Sequence, residues 1–164
     1  MEDFEYARDR IMMGIERKKL SMSEKERFNT AIHEAGHTVT CYFTPGAKKL
    51  HKATIVARGE SLGVTMMMPD ESSEVSNNKL QVLAAIDTAM GGHVAEELFI
   101  GDNQVTSGCS SDFANATQMA YAAVRSYGMF GEDAGYVSQK PCKLSDGHNA
   151  MVDKKVQEIL KESK

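Results

Sequence analysis

Phe4, Ala7, Ile11 and Ile15 recur at helical spacing among charged residues, which predicts a helix over residues 3–19 with these four on one face. A second helix is expected from the string SMSEKERF, where Ser21 with Glu24 or Ser23 with Glu26 can form a capping box. It should run through FNTAIHEAGHTVTCYF and stop before Pro45-Gly46. Two β-rich stretches follow, LHKATIVA and SLGVTMMM, joined by a Gly-containing connection and ended by Pro69; they read as a small sheet or hairpin. The polar run DESSEVSNN reads as a loop. Residues 79 to 100 give the clearest helical pattern, with Leu83, Ile86, Met90, Val94 and Leu98 along one face and Gly101 as C-cap. Gly91-Gly92 in its middle signals close backbone packing or a kink. Further helices are expected over residues 111 to 127, closed by Gly128, and from Asn149 to Lys164. The fold class is therefore mainly α, with a small β-sheet or hairpin beside the second helix.

Length sharpens this to one domain, since 164 residues can enclose a real core. A formal net charge of -4 argues against nucleic acid or an anionic membrane as the main partner. Cys41, Cys109 and Cys142 are odd in number and form no C-x-x-C pair, so neither a disulfide framework nor a four-cysteine zinc site is expected. No run of 18 apolar residues occurs, and the start, MEDFEYARDR, lacks an apolar signal region. The eleven methionines, including Met66, Met67 and Met68 in a row, read mostly as core filler.

The chemistry is concentrated in HEAGH, residues 33 to 37, in the second helix. Four residues advance a helix by about 400°, so His33 and His37 sit about 40° apart and roughly 6 Å along the axis. Both imidazoles can then converge on one zinc at about 2.0–2.1 Å. Glu34, on the adjacent strip, can take a proton from the attacking water. Val39 and Tyr42 fit a half-buried helix, and Gly36 is expected to leave space beside the metal. The bland alternative is a chance H-E-x-x-H on an amphipathic helix. A catalytic zinc normally takes three protein ligands. The long metzincin motif is excluded, because Thr40 and Phe43 occupy the positions where it needs Gly and His. Glu96, Glu97, Asp102, His93 and Asp112 remain for the third ligand. A position near a helix N-terminus favours Asp112, where the helix dipole stabilises an ionised carboxylate, although that residue can equally serve the helix alone.

Four blocks together, HEAGH, ATIVARGESLGVTMMMPDE, MGGHVAEELFIG and TSGCSSDFANATQMAYAAVRSYGM, resemble in order and spacing the peptidase domain of the FtsH family of ATP-dependent membrane proteases. The leading RIMMGIERKKLSMSEKER resembles that family's entry into the domain. Within the family, KATI, MGG-VAEEL and SSDFANAT look most like the i-AAA type of the mitochondrial inner membrane; plastid or bacterial membranes are the alternative. The resemblance implies that residues 1–164 form a zinc endopeptidase domain, short at its C-terminal end, with Asp112 of the T-x-G-x-x-x-D block as third ligand beside His33 and His37. It also implies a homo-hexameric ring, unfolded polypeptides as substrates, and an upstream ATPase domain and membrane anchor outside this chain. ATP would act only through that upstream domain, since no G-x-x-x-x-G-K-[ST] occurs here. His93 departs from the arginine common in relatives.

Sequence-tolerant cleavage needs an exposed strand edge that grips any extended chain by its main chain. Gly63, Val64, Thr65, Met66 and Met67 are the candidates for that edge, with an internal strand as the alternative. His51, His93 and His148 are candidates for an oxyanion donor by type only, and Cys41 is read as an inert thiol rather than a ligand. Two rival functions stand beside the endopeptidase: a non-catalytic, zinc-stabilised ring-assembly module, and a small-substrate zinc hydrolase.

Overall fold

The computed structural model describes residues 2–17, 20–59, 61–68, 76–136 and 145–164. Pro69, most of DESSEVSNN and Cys142 lie outside the described residues.

Helix α1 spans Glu2–Met12 and ends well before the expected residue 19. Gly14 adopts φ 88, a left-handed conformation that costs other residues energy, and turns the chain out of the helix. The following segment then runs antiparallel to Arg58: Arg17 N–H donates to the Ala57 carbonyl at 2.8 Å, and the Glu16 carboxylate receives Arg58 Nη2 at 2.6 Å. The apolar stripe of α1 is turned outward, with Phe4 and Ile11 each 84% exposed and Ile15 63% exposed. What docks α1 is its other side, through buried Met13 and the ion pair of buried Asp9 with Lys52 at 2.5 Å. Periodicity marked the stripe but did not say which side meets a neighbour.

Helix α2, Glu24–Phe43, begins as read: Ser23 Oγ accepts from Glu26 N–H, and Glu26 returns a bond to Ser23 N–H at 2.8 Å. Its buried side is Glu34, His37 and Cys41, whereas Phe28, Val39, Tyr42 and Phe43 are exposed. Val39 and Tyr42 are therefore not the half-buried face expected of them. Strands β1, Lys49–Thr54, and β2, Val64–Met68, pair antiparallel with Ala53 opposite Thr65 and an irregularity at His51. They are shorter than the sequence stretches, and they lie against α2.

Helix α3, Lys79–Phe99, is opened by an Asn78–Gln81 capping box and followed by Gly101 at φ 105. It continues through Gly91-Gly92 unbroken, so the pair serves close packing rather than a kink. A Cβ on Gly36 would lie 2.2 Å from the Gly91 carbonyl oxygen, and one on Gly91 would lie 2.6 Å from Thr40 Oγ1. Gly36 is thus the contact point of α2 with α3 and not, as expected, a space beside the metal. Helices α4, Ser110–Arg125, α5, Gly131–Ala134, and α6, Asp146–Glu162, complete the chain. The core lies between α3, α4 and α6: Val82, Ile86 and Met90 meet Ala116, Ala120, Ala123 and Val124, closed by Val152, Val156 and Ile159. Three fully buried alanines on α4 let it come close to both neighbours. Leu98, read on one face of α3 with Leu83, Ile86, Met90 and Val94, is 74% exposed.

Candidate metal centre

His33 and His37 leave α2 toward α3 with ring centroids 4.6 Å apart and planes at 84°. Space for both comes from Gly92, where a Cβ would stand 2.6 Å from His33 Cε1 and 2.7 Å from His37 Nε2. Each ring is fixed from behind. His37 Nδ1 donates to the Thr88 carbonyl at 2.7 Å, and His33 Nδ1 donates to Glu96 Oε1 at 2.8 Å. A carbonyl or carboxylate only accepts, so both Nδ1 atoms carry protons and each neutral ring turns an Nε2 lone pair forward.

Those two Nε2 atoms lie 3.0 Å apart. Asp112 Oδ2 completes a triangle at 3.2 Å from His33 Nε2 and 3.5 Å from His37 Nε2. Among the described residues, His33, His37 and Asp112 are the group whose ligand atoms gather in this way, all within 4.8 Å of one another. A tetrahedral zinc with bonds of about 2.0–2.1 Å has ligand atoms about 3.3–3.4 Å apart, so the triangle fits one face of that tetrahedron. The donor chemistry fits as well. Three lone-pair-bearing atoms facing each other need a positive centre, and nitrogen, nitrogen and carboxylate oxygen suit zinc.

The charges respond to the same need. Burial opposes charging His33, but the hydrogen bonds that its protonated ring makes to Asp112 and Glu96 outweigh it and raise its pKa above the ordinary 6.5, so a proton competes with a cation for the same Nε2. Burial would likewise push the Asp112 carboxyl up, yet hydrogen bonds from His33 and His37, when a proton on Nε2 takes the cation's place, hold it down to about 2. Asp112 occupies the first turn of α4, where the helix dipole also favours its anion.

Of the other residues weighed for the metal, Glu96 is 1% exposed and sits behind His33. Its Oε2 accepts from Thr106 N–H at 2.6 Å and its Oε1 from Thr106 Oγ1 at 3.1 Å. Thr106 in turn begins the 3-10 turn Ser107–Cys109 that leads into α4. One buried carboxylate therefore fixes both the His33 ring and the turn that delivers Asp112. Sequence reading found Glu96 but not this role, and it missed Thr88, Gly92 and Thr106; the one signal for Gly92 was the double glycine in α3. Glu97 pairs instead with Lys164 Nζ at 2.7 Å and His93 Nε2 at 3.2 Å, and Asp102 lies in a 3-10 turn. His93 packs on Phe113, His51 lies at the β1 irregularity, and His148 is in the first turn of α6. The Cys41 thiol donates to the Lys48 carbonyl, and burial pushes its pKa up, as suits an inert thiol.

Glu34 is 8% exposed and faces β2. Thr65 Oγ1 donates to Glu34 Oε2 at 2.5 Å, and a Cβ on Gly63 would touch both Glu34 Cγ and Oε1 at 2.7 Å. The strand segment from Gly63 to Met67 is thus beside Glu34, with Met66 buried and Val64, Thr65 and Met67 half-buried.

The profile of peptidase family M41 matches residues 20–164. The mitochondrial inner membrane i-AAA protease supercomplex subunit YME1 of Saccharomyces cerevisiae is 43% identical over 165 residues, covering 99% of this chain and 22% of the relative. ATP-dependent zinc metalloprotease FtsH of Neorickettsia risticii is 48% identical over 128 residues, 78% of this chain and 20% of the relative. ATP-dependent zinc metalloprotease FTSH 11, chloroplastic/mitochondrial, of Arabidopsis thaliana is 43% identical over 162 residues, 99% of this chain and 20% of the relative. The chain spans about a fifth of the length of these curated relatives.

Proposed function

Since this chain belongs to peptidase family M41, we propose that it is the zinc-dependent endopeptidase domain of an ATP-driven, membrane-anchored protease that cuts unfolded polypeptides. The observation that carries this reading is the triangle of His33, His37 and Asp112, whose edges and donor atoms suit one zinc. Zinc, when bound, supplies Lewis acidity to water and to the scissile carbonyl. The rest falls to the chain's own groups. Glu34 takes the proton of the attacking water on its carboxylate and passes it to the departing amine nitrogen. Glu96 and the Thr88 carbonyl keep both imidazoles as Nδ1–H tautomers aimed forward.

An extended substrate would add along β2 from Gly63 to Met67. In support, β1 pairs one edge of β2, and among the described residues no strand pairs the other. The same strand touches Glu34, so a chain held there lies near the base. We assign the ATPase and the anchor to parts of a longer protein outside residues 1–164, working as a homo-hexamer. Among the described residues no helix is long and apolar enough to cross a membrane. The mitochondrial inner membrane is the favoured location, in line with the YME1 relative named for that membrane, 43% identical over 99% of this chain; a plastid or bacterial membrane is the alternative.

The deciding experiment compares this chain with its Glu34→Gln variant by metal analysis and by digestion of pre-unfolded casein, which requires no ATP-driven unfolding. Both proteins should bind zinc, and the variant should lose cleavage by at least about a hundredfold. Equal behaviour of the two would favour an assembly module. Cleavage of a free amino-acid derivative but not of casein would favour a small-substrate hydrolase.

A further inference from the structure

Thr65 lies on the strand assigned to the substrate, yet its hydroxyl points at the base. We infer that Thr65 is a positioning residue for Glu34, so that one strand carries the substrate on its edge and the catalytic carboxylate on its face. The inference rests on the peptidase reading and deepens it.

The Thr65 hydroxyl has one proton and two acceptors in reach: Glu34 Oε2 at 2.5 Å and the Glu34 carbonyl at 3.2 Å. The carboxylate is nearer and charged, and charge-assisted bonds are about twice as strong as neutral ones, so the proton goes there. Gly63 acts from the same face, as the two-residue period of a strand requires. Any side chain at 63 would stand 2.7 Å from Glu34 Oε1 and 2.8 Å from Thr30 Cγ2. The glycine lets the backbone lie flat on the Glu34 side chain while Thr65 holds Oε2. Glu34 otherwise has three rotatable bonds, and a base must stay within about 2.6–3.2 Å of the proton it takes. With Oε2 held, Oε1 is the oxygen left to accept that proton. Because β2 is fixed by pairing with β1, Thr65 opposite Ala53, the base inherits the register of the hairpin. A substrate chain that pairs with β2 and the carboxylate that serves it are therefore aligned by the same backbone.

Thr65→Val keeps the β-branched shape and strand preference but removes the hydroxyl, whereas Thr65→Ser keeps the hydroxyl. With zinc-loaded protein and an unfolded substrate, Thr65→Val should lower kcat about tenfold, a part of the general-base contribution, with KM within about twofold and bound zinc unchanged. Thr65→Ser should retain kcat to within about threefold of wild type. An unchanged kcat in Thr65→Val overturns the inference. So does loss of zinc, or a KM change as large as the kcat change, since either would mean that the strand and not the base was disturbed. A second readout needs no activity: chemical unfolding of the zinc-free wild type, Thr65→Val, Glu34→Ala and the double variant. Coupled, non-additive midpoints are expected, and additive ones overturn the inference. If the wild type cleaves nothing, the peptidase reading fails and this cycle alone decides whether Thr65 holds Glu34.

Discussion

On one side of α3, Val82, Ile86 and Met90 pack into an apolar cluster with the alanines of α4 and the valines of α6. On the other side, Thr88, Gly91, Gly92, Ala95 and Glu96 face α2, where the partners are His33, Gly36, His37 and Thr40. The first side gains by removing apolar surface from water, whatever else is present. The second side gains little in that way. It brings helices to backbone contact through glycine and fills the space with polar groups, each tied to a named partner, except for three acceptor atoms that face one another. A single helix thus carries a face that stabilises the fold beside a face that stores unmet demand for a cation.

The sharpest way to break this contrast is at Ile86, which is 0% exposed. Ile86→Ala should cost about 2–5 kcal/mol of folding stability, measured by denaturant unfolding, while leaving zinc affinity within about threefold. A parallel loss of zinc affinity would mean that the two faces are not separate. Next in size is the metal itself. Zinc at about 100 times its dissociation constant should raise stability by about 2.7 kcal/mol, and chelation should remove that gain. The gain should appear undiminished in Ile86→Ala and vanish in Asp112→Asn. The smallest expected effect is at Glu96. Glu96→Gln should weaken zinc binding by about 10–100-fold, read by competition with a chelating dye, with little change in the zinc-free unfolding midpoint. A large loss of zinc-free stability instead would make Glu96 part of the core rather than part of the site.

The two faces also differed in how well they could be read. The extent of α3, its Gly101 exit and the Ser23–Glu26 capping box are local matters, set by residues within a few positions of each other, and they came out within a residue or so. His33 and His37 converge because one helical turn separates them. By contrast, Leu98, Val39, Tyr42 and the Phe4, Ile11 and Ile15 stripe were assigned by periodicity and stand exposed. Periodicity finds an apolar side but holds no information about whether another element arrives to cover it. Gly36 and Gly92 were visible as glycines, yet which of them borders the imidazoles depends on how α2 and α3 cross.

What the chain determined by itself was the extent of α2 and α3 and a pair of imidazoles one helical turn apart with Glu34 beside them, since these follow from spacing along one element. Asp112 was reached from the sequence only through chemical preference and family likeness; it stands 75 positions after His37. Its meeting with the two rings, the anchoring of His33 and of the α4 entry by Glu96, and the hydroxyl of Thr65 on Glu34 belong to tertiary structure. Each joins groups from different elements at hydrogen-bond distance, and a tolerance of a few tenths of an ångström is fixed only when α2, α3, α4 and the hairpin are packed together.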